Sequence, residues 1–278
     1  MKLCRFYIPE NLGAASGQGA AARAEGGGVA TEARAEVVAG VIEGALVYEI
    51  ANLFEPGSRT GRAWDLAEVK LAAPVQPTKI VCVGRSYAEH AAELGNEVPK
   101  EPLIFLKPPS SVIGPDDAIV MPAISQRVDY EGECGVVMGK RLRLKSKDEE
   151  VSIADYVLGY TCLNDVTARD IQKKDVQFTR GKGFDTFCPV GPVIETEFEG
   201  KFTVTTSVNG VRKQAGDASQ MLFSVDVIIR WIAQVMTLLP GDVIATGTPP
   251  GVGTLAAGDV VEVAVSGVGT LRNPVTSA

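Results

Sequence analysis

Two glutamates, Glu131 and Glu133, stand two residues apart in the run DYEGECGVVMG. In a strand, residues two apart point to the same face. The apolar residues behind them, Val136, Val137 and Met138, predict a strand that runs into the core. Neighbouring carboxylates repel, and burying them unpaired is costly. A divalent cation would relieve that cost. A solvated strand edge would also accommodate the pair, and spacing alone favours it. A second group follows at Asn164-Asp165, where the pattern predicts the end of a strand and the start of a helix. Asp165, Arg169 and Gln172 then fall at i, i+4 and i+7, one helical face carrying a carboxylate, a guanidinium and an amide. An N-cap with an ordinary ion pair fits the same spacing. His90 and Glu93 share a face at i, i+3 on a short helix that Ser86 can cap and Gly95 can end. The carboxylate there can orient an imidazole, and an incidental surface pair has the same spacing. Lys107 in FLKP and Lys182 in RGKGFD add two cations, and glycines beside Lys182 permit a close backbone approach to a ligand. The turn TGTPPGVG, with Thr246, Gly247 and Thr248, suits a tight anion-cradling loop but matches neither a P-loop nor a dinucleotide fingerprint.

Much chemistry is excluded at once. His90 is the single histidine, so multi-histidine zinc sites and HExxH hydrolases are out. No G-x-S-x-G elbow is present. The five cysteines are scattered without a C-x-x-C, against a zinc ribbon or a disulfide framework. Their odd number and the lack of a secretory signal lead us to expect reduced thiols and a cytoplasmic protein. A net charge of −7 argues against a nucleic-acid partner. The most apolar stretch, residues 225 to 239, is broken by Asp226, Arg230 and Gln234, so no membrane partner is expected.

The elements that must position these residues are mostly strands. With 278 residues and 45% apolar content the chain can bury a large core. Thirty glycines, 16 prolines and only 6% aromatics suggest many short strands and turns. Residues 1–72 read as a small β-rich N-terminal domain, with an Ala/Gly-rich excursion from 12 to 35. The Pro-rich joint at 73 to 79 opens the main domain, residues 73–278. KIVCVG, LIFLKP, AIVMP, DYVLGYTCLND, DVIATG, DVVEVAVS and VGTLRN read as strands, and Asn209-Gly210 marks a hairpin. One long helix is predicted after Ser224, with an apolar stripe from Val225 to Leu239 and a stop at Pro240-Gly241.

Taken in order, VGRSYAEHAAE, LIFLKP, DYEGECGVVMG, NDVTARDIQ, RGKGFDTFCPVGP and TGTPPGVG resemble the fumarylacetoacetate hydrolase family over roughly residues 78 to 273. The resemblance implies an α+β, β-rich fold, the mixed sandwich roll of that family, behind a small N-terminal domain, and a homodimer. It implies that Glu131, Glu133 and Asp165 are metal ligands and that His90 and Glu93 form the catalytic dyad. Arg169, Gln172, Thr248 and Lys107 would hold the oxo-acid end of a small substrate, and Lys182 would stabilise an enolate. The animal enzyme that names the family has a fourth carboxylate on its metal; this chain follows the shorter acylpyruvase-like pattern with three. An all-oxygen donor set selects Mg²⁺ or Mn²⁺. Three carboxylates against one divalent cation would leave the site with a formal −1, which Arg169 and Lys182 can offset. The implied reaction is C–C hydrolysis of an acylpyruvate-type 2,4-dioxo acid through a pyruvate enolate, with a His90-activated water. Oxaloacetate decarboxylation and 2-hydroxyhepta-2,4-diene-1,7-dioate isomerisation use the same enolate and are the alternatives. A protein that binds small acids without turnover is a further one.

Overall fold

The structure is a computed structural model. It describes residues 1–9, 36–93, 95, 97–146 and 148–278, without the side chains of 90–92. The Ala/Gly-rich excursion at 12 to 35 therefore lies outside the described residues.

Among the described residues, twenty strands and four short α-helices succeed one another in chain order. The N-terminal strands are β1 (Lys2–Tyr7), β2 (Val37–Glu43), β3 (Leu46–Ile50), β4 (Arg59–Asp65) and β5 (Lys70–Ala72). After the Pro-rich joint come β6 (Ile80–Gly84), α1 (Ala88–Glu93), β7 (Leu103–Lys107), β8 (Val112–Ile113), β9 (Ile119–Met121), β10 (Val128–Tyr130), β11 (Gly132–Met138), β12 (Val157–Asn164) and β13 (Thr167–Ala168). Next are α2 (Arg169–Lys174), α3 (Thr179–Lys182), β14 (Cys188–Glu195), β15 (Thr203–Val208), β16 (Val211–Asp217) and α4 (Val225–Val235). The chain closes with β17 (Val243–Ala245), β18 (Gly253–Thr254), β19 (Val260–Val265) and β20 (Gly269–Ser277).

A mixed sheet runs in the order β4-β3-β2-β1-β14-β12-β11-β17-β6-β7. The N-terminal strands thus continue the sheet of the main body, through antiparallel pairing of β1 with β14. A second sheet, β16-β15-β19-β20-β9, and a small one, β13-β10-β18, complete the β-rich fold. The central strands are buried on both faces and read as near-continuous apolar runs: all seven residues of β11 are buried.

The register at one end of the large sheet brings two acids together. In the antiparallel pair β11–β12, Gly132 lies opposite Asn164 at the last rung. The residue before β11 and the residue after β12, Glu131 and Asp165, therefore leave the sheet side by side. The Asp165 N–H donates to the Glu131 carbonyl (2.8 Å) and closes that end.

Helix α4 begins as its sequence predicts, with Ser224 Oγ accepting from the Val227 N–H. Its buried residues Ile228, Ile229 and Ile232 pack with Val81, Val136 and Ile244 of the sheet. Each such isoleucine contributes about 2 kcal/mol by burial. The helix stops at Val235, one turn before the predicted end. Leu238, just past the helix, bridges Leu142, and this strand-like tertiary contact wins over helical continuation to Leu239. The Asn209-Gly210 hairpin is present, both residues having positive φ (52° and 74°) as a type I′ turn requires.

Candidate active site

The triad forms where β11 and β12 end. Glu131, Glu133 and Asp165 are at most 5% exposed, and their ligand atoms lie within 4.8 Å of one another. Burial settles the choice that spacing left open: this is not a solvated edge. Glu133 accepts from the Gly247 N–H (2.7 Å). Burial, with Asp165 and Glu131 beside it, pushes the Glu133 carboxyl well above the usual carboxylate range, against the opposing pull of Lys182.

Three cations face these carboxylates. Lys182 Nζ donates to Glu131 Oε2 (2.8 Å) and Asp165 Oδ2 (2.5 Å), and lies 5.0 Å from the centre of the Phe105 ring. Burial pulls the Lys182 ammonium down, but Asp165 and Glu131 outweigh it and hold its pKa above the ordinary value. Lys107 Nζ donates to Asp165 Oδ1 (2.6 Å) and to the Val166 carbonyl (3.0 Å). The resemblance placed Lys107 on the substrate; its fully buried amine is engaged instead in fixing Asp165. Counting it, three cations face the three carboxylates, one more than the Arg169 and Lys182 expected to offset the triad.

Arg169 differs from its sequence reading. Asp165 precedes β13 and is not on the helix, so the expected i, i+4 pair with Arg169 does not form. Arg169 opens α2 and reaches the site from the other side. Its Nε donates to Asp129 Oδ2 (2.9 Å), its Nη1 to Gln172 Oε1 (2.7 Å) and its Nη2 to Glu131 Oε1. Burial lowers the guanidinium's pKa, yet Glu131 and Asp129 reverse this and hold it above its usual value. Asp129, wholly buried, is the residue that sequence reasoning missed. Its signal was an acid two positions before Glu131 in a strand, hence on the same face.

Thr248 donates to the Gly132 carbonyl (2.9 Å) and accepts from Gln214 Nε2 (2.8 Å). With its proton so engaged, Thr248 offers a ligand only an acceptor. Gln214, also missed, accepts from the Gly132 N–H (3.1 Å) as well. The turn carrying Gly247 cradles an anion, but that anion is the chain's own Glu133. Gly247 has φ +100°, and a Cβ there would lie 2.4 Å from Ser86 Cβ. The glycines beside Lys182 serve packing rather than ligand approach: a Cβ on Gly181 would lie 2.9 to 3.0 Å from Gln172.

Helix α1 carries His90 and Glu93. The His90 side chain lies outside the described residues. The Glu93 carboxylate accepts from the Gly251 N–H (3.1 Å), tying α1 to the turn of Thr248. Ser86 does not cap α1: its buried Oγ has no hydrogen-bond partner among the described residues.

A cavity of about 250 Å³ opens over the triad. Arg169, Gln172, Lys182 and Thr248 line it with the triad, and Lys107 does not. The donor set fits a hard divalent cation: three buried carboxylates, all oxygen, with no soft ligand. Among the described residues this is the group of acidic, histidine or cysteine side chains close enough to hold a metal. The five cysteines are buried and free, and no helix among the described residues is long and apolar enough to cross a membrane.

Residues 79–276 match the family described as Fumarylacetoacetate (FAA) hydrolase C-terminal, and residues 31–74 match Rv2993c-like, N-terminal. The chain belongs to the fumarylacetoacetate hydrolase family. Oxaloacetate tautomerase YisK of Bacillus subtilis is 42% identical over 228 residues, 76% of this chain and 75% of that protein. The solved structure of 5-carboxymethyl-2-hydroxymuconate delta-isomerase from Mycobacterium smegmatis superposes with a TM-score of 0.84 at 39% identity, covering all of both chains. Fumarylacetoacetate hydrolase from Exiguobacterium antarcticum superposes with a TM-score of 0.80 at 35% identity, again over all of both chains. Members of the fumarylacetoacetate hydrolase family thus include tautomerases, isomerases and hydrolases, and this chain is an enzyme of that family.

Proposed function

We propose that the protein catalyses keto–enol tautomerisation of a short 2-oxo diacid of the oxaloacetate type, with Mg²⁺ or Mn²⁺ held by Glu131, Glu133 and Asp165. The observation that carries this reading is the charge balance of the cavity floor. Lys107, Arg169 and Lys182 offset the three carboxylates, and the wholly buried Asp129 is offset by Arg127. A divalent cation therefore leaves two positive charges for a ligand to neutralise. A keto acid brings one negative charge to the chelating end and its enolate brings two. A site matched to the enolate binds the reacting species more tightly than the ground state, which is the condition for acceleration. The ion supplies Lewis-acid polarisation of the 2-oxo group. Lys182 offsets charge arising on the enolate oxygen, and Arg169 orients the carboxylate. In tautomerisation the C3 carbon loses or gains a proton while the oxygen does the reverse. Helix α1 supplies His90 and Glu93 for that transfer.

Similarity to an oxaloacetate tautomerase at 42% identity supports this choice. Hydrolysis of an acylpyruvate is the second reading, favoured by the tie of Glu93, the partner expected for His90, to Gly251 in the turn that carries Thr248. A homodimer belongs to either reading, on the family resemblance.

The test monitors decay of the enol ultraviolet absorbance of oxaloacetate with Mg²⁺, beside cleavage of acetylpyruvate and fumarylpyruvate. Tautomerisation that chelation abolishes, at rates well above any cleavage, is expected. Cleavage alone would hand the site to the second reading, and neither activity would refute both.

A further inference from the structure

The cavity is polarised from floor to mouth. Its floor is the buried triad with Arg169 and Lys182. Its walls include Val83, Phe105 and Phe178, and its remaining charged lining residues are both cations: Arg85, half-buried, and Lys173, exposed. An apolar throat between a chelating floor and a cationic mouth suits a ligand charged at both ends.

The backbone singles out Arg85 from the two. It lies just after β6 with φ +58°, a left-handed conformation that glycine adopts freely and an arginine adopts under strain. Strain of this kind persists where surrounding structure enforces it, and it concentrates at ligand sites. The guanidinium has no hydrogen bond or ion pair among the described residues. A cation free of protein partners beside a cavity is available to a ligand, and its planar fork matches a carboxylate in two-pronged fashion.

We propose that Arg85 is a specificity-determining residue that reads a second carboxylate at the cavity mouth, so that the protein selects 2-oxo diacids over 2-oxo monoacids. This deepens the proposed function and rests on its assignment of the chelating floor. It does not depend on which reaction the floor performs.

The test compares two ligands of equal carbon number, 2-oxoglutarate and 2-oxopentanoate, by calorimetry with Mg²⁺ on the full chain. The wild type should prefer the diacid. Arg85→Gly removes the side chain and relieves the backbone, so its thermal midpoint should hold or rise. The diacid should then bind about 10- to 100-fold more weakly, the range expected for a lost charge-assisted hydrogen bond, while the monoacid is unchanged. Arg85→Lys, which keeps the charge and loses the fork, should fall between. A retained diacid preference in Arg85→Gly overturns the proposal. So does equal weakening of both acids, which would mean that Arg85 shapes the cavity instead. A wild type that binds both acids equally, or neither, overturns it too. Failure of tautomerisation with the diacid preference intact would refute the reaction and leave this reading standing.

Discussion

Asp129 holds two arginines on one carboxylate, and their surroundings decide which pair matters. Its Oδ2 accepts from Arg169 Nε at 2.9 Å, with both side chains at most 4% exposed. Its Oδ1 accepts from Arg127 Nε at 2.8 Å, but the Arg127 side chain is 47% exposed. Exposed pairs are worth about 0–1 kcal/mol. Removing one partner of a buried pair costs about 3–5 kcal/mol when the other is left uncompensated. In Asp129→Asn the amide oxygen still accepts one bond, and Arg169 keeps Glu131 and Gln172. The expected loss is therefore nearer 2 kcal/mol, or a fall of about 4–8 °C in thermal midpoint for a chain of this size. Arg169 loses its aim rather than its charge. KM for the 2-oxo acid should rise about 10-fold, the equivalent of roughly 1.4 kcal/mol of binding, with kcat changed less. Arg127→Ala is the comparison: with its side chain half exposed, it should alter both values less than Asp129→Asn does. Steady-state kinetics and scanning calorimetry on both variants provide the measurement. Wild-type KM and midpoint in Asp129→Asn, or equal effects from the two substitutions, would show that Arg169 is positioned by Glu131 and Gln172 alone.

The remaining predictions are shorter. In chelator, stability should fall as pH rises above about 4.5, because the raised folded pKa of Glu133 means that the native state holds its proton longer than the unfolded chain does. Mg²⁺ should stabilise more at higher pH, and a pH-independent ion effect in thermal melts would contradict the triad assignment. Gln214→Leu removes the partner of the Gly132 N–H and two bonds to the turn of Thr248. It should cost about 1–3 kcal/mol of stability for each buried polar group left unmatched and lower kcat/KM, whereas a fully active variant would show that the turn holds itself. The thiols should not react with a disulfide reagent in the native state, since all five are buried and burial pushes Cys4, Cys162 and Cys188 up to about 12. Rapid labelling of any of them would contradict that packing.

The strands were legible because their signals are local. Continuous apolar runs such as Ile80–Gly84 and the Asn209-Gly210 turn carry their geometry in a few residues. The chemistry was legible in part. Residue type marked Glu131, Glu133, Asp165 and Lys182, and the structure brings these four together. What failed was periodicity used as a guide to neighbours. Arg169 approaches Glu131 from across the site, although helical spacing had paired it with Asp165. Lys107 sits at the end of β7, and nothing near it in sequence shows that its amine meets Asp165, 58 residues away. Gln214 is likewise an ordinary polar residue of a hairpin strand until sheet packing places it against Thr248 and Gly132. Long-range pairing of this kind has no local signature.

So many buried charges around one cavity are hard to explain as a stabilising device. Taking each ion out of water costs several kcal/mol, and well-packed apolar residues in the same volume would serve stability as well or better. The positions of the charges explain more than their number. Glu131 and Asp165 flank the last rung of β11–β12, so the backbone at the buried end of this strand pair fixes the separation of two carboxylates. Lys107 and Arg169 then hold the outer oxygens of Asp165 and Glu131, and Lys182 spans the other oxygen of each. Glu133 takes its hydrogen bond from a backbone N–H, that of Gly247. Without an ion, burial and then the neighbouring Asp165 and Glu131 raise its proton affinity, against the pull of Lys182 and the Gly247 N–H. A divalent cation held by the triad would relieve Glu133 and would compete with Lys182 for the Glu131 and Asp165 oxygens. Lys182, which bonds both of those carboxylates, would then be the cation placed to serve a substrate, as the proposed reading requires.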